Sequence, residues 1–160
     1  MDRWQERIDA VWDDDTISDD ERIRAIDALA LERAADDPVA LFERAGARDS
    51  AGAELAAKAL YRQALDGGLD EERRVRATIQ LASTLRNLGE IEESLRMLRE
   101  EHDRPGIILH DEVAAFYALA LASSGDTAAA TSVALETLAP HLSRYHRSVT
   151  AYARALGGDT

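Results

Sequence analysis

Apolar side chains recur along this chain every three to four residues, and no stretch alternates strictly between apolar and polar. That spacing predicts helices throughout and no sheet. Trp4, Ile8, Val11 and Trp12 form the apolar stripe of a first helix, which the run Asp13-Asp14-Asp15 ends. Ser18-Asp19-Asp20-Glu21 reads as a capping box, in which Ser and Glu three apart satisfy each other's free backbone amides. The helix behind it turns Ile23, Ile26, Leu29 and Ala30 inward. Asp37-Pro38 starts another: the carboxylate accepts from free amides, and proline fits the first helical position.

From there the pattern repeats. Gly52, Gly89 and Gly125 each follow a helical stretch and stand 37 and 36 residues apart. Seven residues before each glycine is a small side chain: Ala45, Ala82 and Ala118. Five after come Ala57, Ser94 and Ala130, and nine after come Tyr61, Leu98 and Ala134. This is a helix–turn–helix hairpin used three times, with small residues where the helices cross and larger ones beside the crossing.

A small residue in helix A, a turn glycine, then Ala57, Tyr61 and Ala64 in helix B resembles the tetratricopeptide repeat. Segments 42–52 and 80–89 are similar to those of a group of small bacterial tetratricopeptide proteins. The resemblance covers roughly residues 38 to 140. It departs from the family pattern in periods longer than about 34 residues, in Ser94 and Glu101 at small positions, and in Ala134 at the aromatic one. The closing proline is also missing: Leu69 stands there in the first repeat, and Pro140 comes two residues early in the third.

The fold expected is all-α, an alpha-alpha superhelix or tetratricopeptide-like solenoid of about nine helices. Residues 1–160 would form a single domain, with an N-terminal helix pair at 1–36, three hairpins at 38–140 and a capping helix at 141–157. Between the second and third hairpins, Pro105-Gly106 breaks the chain. Ile107-Ile108-Leu109 is too apolar for a solvated loop and is expected to pack, with Asp111 placed to cap the next helix. At the far end Leu142, Tyr145, Val149, Tyr152 and Leu156 form one stripe, expected to cover the last repeat as terminal repeats require.

By resemblance, the A helices line a concave groove. The side chains pointing into it map to Phe42, Asp49 and Ser50, then Ile79, Ser83, Arg86 and Asn87, then Ala115, Leu119 and Ser123. Arg86 offers a fork for a carboxylate, and Asn87 an amide for a peptide backbone. Phe42, Ile79 and Leu119 suit an apolar side chain. The groove lacks the lysine of the carboxylate clamp found in chaperone-binding relatives. Structural duties fit some of these residues equally: Arg86 suits the C-terminal helix dipole, Asn87 the end of the helix, and Ser83 close packing. The resemblance therefore implies a protein-interaction module, an adaptor or scaffold holding a peptide or helix of unknown identity. An alternative is a self-associating structural protein, a homodimer with Trp4 or Trp12 in the contact, since tryptophan is frequent in interface hot spots. A small-ligand sensor or helical enzyme is the least favoured reading.

Composition narrows the choice. The net charge of -12 repels phosphate backbones, so nucleic acid is not expected as a partner. Nearly all positive charge is arginine, with Lys58 the single lysine. There is no cysteine, so no disulfide framework and no thiolate metal site; a reducing, cytoplasmic location fits. No apolar run is long enough for a membrane span, and the first residues do not read as a signal peptide. The Asp13–Glu21 run lacks the ligand spacing and glycine of a calcium loop. His102, His110, His141 and His146 show no i, i+4 pair and no HExxH, so no metal site is expected. No Gly-x-Ser-x-Gly and no phosphate-binding glycine loop occurs; Gly67-Gly68 reads as a helix end. No catalytic residue and no cofactor is assigned.

Overall fold

The computed structural model describes residues 3–158. Among them are nine α-helices and no strand: α1 (Arg3–Trp12), α2 (Asp19–Ala30), α3 (Pro38–Ser50), α4 (Glu54–Gly67), α5 (Glu71–Asn87), α6 (Ile91–His102), α7 (His110–Ser124), α8 (Thr127–Leu138) and α9 (His146–Gly157), with a 3-10 turn at Ala139–His141 between the last two. The chain divides into two compact units between Thr84 and Leu85, inside α5.

The first unit forms around the stripes that the sequence marks. Trp4, Ile8, Ile26, Leu29, Ala40 and Ala47 make one apolar cluster, with Val11, Trp12, Ile23 and Ala30 packed against it. The capping box closes as expected: Ser18 Oγ accepts from the Glu21 amide, and the Glu21 carboxylate accepts from the Ser18 amide at 2.8 Å. Asp37 caps α3 by accepting from the Ala40 amide at 2.9 Å. α3 and α4 pack as a hairpin. Ala45 and Ala57 are fully buried, and Tyr61 of α4 is tilted against Phe42 of α3 at 6.2 Å.

In the second unit α6, α7, α8 and α9 pack in succession. Leu98, Val113, Ala114, Ala120, Ala139 and Ala153 are essentially inaccessible. Gly52, Gly89 and Gly125 all take positive φ, at 75°, 83° and 93°, where an L side chain is strained. Gly158 joins them at φ 88°, seven residues after Ala151. α9 therefore carries the same register as the A helices of the hairpins.

Three local expectations need correction. α7 starts at His110, and its cap is Leu109 in the left-handed region (φ 55°), so Asp111 lies within the first turn and does not cap it. Ile107 and Leu109 are half-buried, but Ile108 is 41% exposed, because the Pro105-Gly106 turn lifts it off the helices. Ala134, which stands at the aromatic position, is exposed. Three residues of the terminal stripe also face outward. Tyr145 and Tyr152 are 75% and 73% exposed and Leu156 49%, while Ala153 is buried and a Cβ on Gly157 would stand 2.8 Å from Ser132 Oγ. α9 approaches α8 through Ala153 and Gly157, because small residues permit the closer contact.

Candidate functional site

Counting back from each left-handed glycine gives the A helices a common register, and burial follows it. In α3 the seventh and eleventh positions back are Ala45 and Leu41, and in α7 they are Ala118 and Ala114; all four are buried. The second position back is exposed on each A helix: Ser50, Asn87, Ser123 and Leu156. The sixth is half-buried at Gly46 and Ser83 but exposed at Leu119 and Tyr152. A Cβ on Gly46 would lie 3.3 Å from the Trp12 indole, so α1 occupies the space beside that glycine.

The residues expected to line a groove separate accordingly. Phe42 and Ile79 are core residues, 3% and 6% exposed, with the Arg76 guanidinium lying 5.3 Å over the Phe42 ring. Asp49 faces inward. Its carboxylate accepts from Thr84 Oγ1 at 3.0 Å and from the Tyr61 hydroxyl at 3.4 Å, and Tyr61 also reaches Gln80. Burial pushes the Asp49 carboxyl above the usual carboxylate range, against the pull of those two donors. Burial and the neighbouring Asp49 charge raise the Tyr61 phenol in turn. Ser50 is exposed and donates to its own helix at Ala47 O. Ser83 is half-buried in the first unit. In the second unit Arg86 is half-buried, its Nε buried with no acceptor, and its Nη2 donates to Asn87 Oδ1 at 3.3 Å. Leu119 is 47% exposed.

Both tryptophans turn into the first unit. Trp4 is 7% exposed, donates from Nε1 to Leu29 O at 2.9 Å and lies 4.1 Å beneath the Arg33 guanidinium. Trp12 is half-buried and donates to Glu43 Oε2 at 2.8 Å. Glu43, only 6% exposed, also accepts from Gln5 at 3.4 Å.

The second unit also assembles a cluster that sequence spacing does not reveal. His102, His110 and Asp111 line a cleft of about 340 Å³ with Glu136 and Pro140. The His102 ring lies 5.2 Å from His110 and 5.4 Å from Tyr117, whose hydroxyl accepts from Arg99 Nε at 3.1 Å. The Asp111 carboxylate lies 3.0 Å from His141 Nε2 and 3.5 Å from His110 Nδ1. Those ring N–H donors, His141 foremost, hold its carboxyl below the ordinary range. Leu109 in a left-handed conformation is what turns the chain into this corner. His102 and His110 flank the Pro-Gly turn, and His141 follows Asp111 by 30 residues, so only the packing of α6, α7 and α8 brings them together. Among the described residues no group of three or more acidic, histidine or cysteine side chains is arranged to hold a metal ion.

Helical hairpins in a common register, closed by left-handed glycines and packed through small residues, define an all-α helical repeat protein. The family described as tetratrico peptide repeat matches residues 38–156, and the chain belongs to it. Members of that family generally bind other proteins through their repeats. Comparison with curated proteins and with solved structures returns no match. No helix among the described residues is long and apolar enough to cross a membrane.

Proposed function

We propose that this chain is a cytoplasmic adaptor that holds a peptide or helix of a protein partner along the exposed lane of the A helices in its second unit. One observation carries the reading. The large apolar side chains left uncovered on α7 and α9, Leu119, Tyr152 and Leu156, all fall at the sixth or second position before the turn glycine, together with exposed Asn87 of the same unit. Uncovered apolar side chains sharing one register mark a contact surface rather than scattered exposure. Half-buried Arg86 and exposed Asn87, bonded to each other, lie beside it on α5. The absence of cysteine suits a reducing compartment.

Affinity capture from the native cytosol, with quantitative mass spectrometry, tests this. Leu119→Glu and Arg86→Glu should each strip the same partner from the wild-type catch and leave helicity intact. Gln63→Glu, on the exposed side of α4, should retain it. A catch unchanged by both lane variants refutes the assignment.

A further inference from the structure

A cleft of about 340 Å³ opens in the first unit where α2 ends and α3 begins. That volume lies at the small end of the range for small-molecule sites. Buried Ala40 and Leu41 of α3 give the cleft a floor, and exposed Leu31, Ala34 and Ala35 of the connection give it a rim. Half-buried Ala30 completes the apolar lining. The connection is held by its own backbone. The Glu32 and Arg33 amides donate to Leu29 O and Ala30 O, both at 3.1 Å, and the Asp37 amide donates to Ala34 O at 3.0 Å. The cleft is therefore preformed. Leu31 at its rim is 86% exposed, the most exposed large apolar side chain among the described residues.

Three charged residues share the lining, Asp27, Arg33 and Arg44, and their pairing leaves one positive charge uncompensated. Arg48 takes Asp27 in a fork, Nη1 at 3.1 Å from Oδ1 and Nη2 at 2.8 Å from Oδ2. Arg44 reaches the same carboxylate through Nε alone, at 2.9 Å. Its two terminal nitrogens have no acceptor among the described residues. Arg33 is engaged elsewhere: Nη1 donates to Asp37 at 3.2 Å, and the guanidinium lies 4.1 Å over the Trp4 ring. One carboxylate thus serves two guanidinia, and the open donor pair of Arg44 stands beside apolar walls, in a chain of net charge -12.

That combination selects a ligand. A cation would face the guanidinia of Arg33 and Arg44. A neutral polar molecule would leave hydroxyl groups unsatisfied against alanine and leucine. An inorganic anion would engage Arg44 and leave the apolar lining wet. A carboxylate on a short aliphatic tail uses both: the planar guanidinium fork matches its two oxygens, and the tail is removed from water against the lining.

We propose that this cleft binds a free short-chain aliphatic carboxylate of about six carbons, its oxygens forked by Arg44 and its tail covered by Leu31. The site lies wholly within the first unit, whereas the proposed partner lane belongs to the second, so each assignment fails or holds without the other.

The probe is sodium hexanoate, titrated into the ¹⁵N-labelled full chain and followed by amide chemical shifts. Saturable shifts should concentrate in residues 27–44, with a Kd on the order of 0.1–1 mM, as ligand efficiency allows for so small a molecule. Hexanamide keeps the shape without the charge and should bind at least about tenfold more weakly. Acetate and inorganic phosphate, which lack the tail, should do the same. Arg44→Gln should cost about tenfold or more, and Arg44→Lys, which keeps the charge without the fork, should fall between. Asp27 keeps its bonds from Arg48 in both variants. Leu31→Ser alters an exposed side chain, so the melting curve should not move while affinity drops severalfold; it tests the site even where an Arg44 variant fails to fold. Arg62→Gln, on the exposed side of α4, should leave the affinity unaltered. No saturable shift up to about 20 mM hexanoate, equal binding of hexanamide, or shifts indifferent to both Arg44→Gln and Leu31→Ser overturns the proposal. So does a short peptide ending in leucine that shifts the same amides about tenfold more tightly than hexanoate, which would give the cleft to a protein terminus.

Discussion

Glu43 is the sharpest place to test how the first unit is held together. It is 6% exposed, and its carboxylate accepts from the Trp12 indole at 2.8 Å and from Gln5 at 3.4 Å. Glu43→Ala removes the acceptor that ties α1 to α3. A hydrogen bond to a charged acceptor contributes about 1.5–3 kcal/mol. The longer Gln5 bond adds little, and Trp12 is only half-buried, so water recovers part of the loss. The net expectation is about 2 kcal/mol of destabilisation, a urea midpoint lower by roughly 1 M for an m-value of about 2 kcal/mol/M. The chain has two tryptophans, both in the first unit, so tryptophan fluorescence follows that unit while circular dichroism follows all helices. Glu43→Gln keeps an oxygen for the indole and should lose about half as much. Trp12→Phe removes the donor but keeps a ring, and in a double-mutant cycle with Glu43→Ala it should show coupling of about 1 kcal/mol or more. Additivity within about 0.5 kcal/mol would mean the indole–carboxylate bond does not join the helices, and the reasoning fails.

Two further outcomes follow from the packing and the charges. Ala57→Leu inserts three carbons at a fully buried crossing of α3 and α4 and should destabilise the first unit by about 1–3 kcal/mol, read from the same urea curves; an unchanged midpoint would mean the crossing is looser than described. At Asp27, burial raises the carboxyl but the hydrogen bonds from Arg48 and Arg44 outweigh it, leaving a depressed value. A depressed carboxyl stabilises above its unfolded value of about 3.9, and that contribution is lost as pH falls through the lower folded value. The stability gap between wild type and Asp27→Asn should therefore be widest near neutrality and shrink below about pH 4. A gap constant from pH 7 to pH 2.5 would show that the charge of Asp27 is immaterial.

The hairpins were legible because two physical demands leave local marks. A left-handed turn reserves a glycine, and a close helix crossing reserves a small residue; Gly52 with Ala45 and Ala57 meets both. The capping residues Ser18 and Asp37 were legible for the same reason, since a cap is satisfied within four residues. The fourth repetition was within reach too, as Ala151 precedes Gly158 by seven, but the stripe of Leu142, Tyr145, Val149, Tyr152 and Leu156 suggested a buried face. A stripe states that a face is apolar, not what lies opposite it. The inward turn of Asp49 depends on Thr84, 35 residues away, and the histidine corner depends on contacts across three helices. Neither leaves a periodic trace. Phe42 and Ile79 occupy groove register but point inward, because the aromatic Tyr61 and the neighbouring helices close over that side of α3 and α5.

The left-handed glycines that share the common register carry a consequence for chemistry. Around Gly52, Gly89, Gly125 and Gly158 a β-carbon would meet nothing within 4 Å. Stereochemistry alone, not room, bars other amino acids there. A mirror-image alanine prefers the backbone angles that these four positions already adopt, and it would stiffen the denatured chain without disturbing the native one. Semisynthesis could thus place D-residues, and the reporter groups they carry, at these four helix ends without altering a single packed surface.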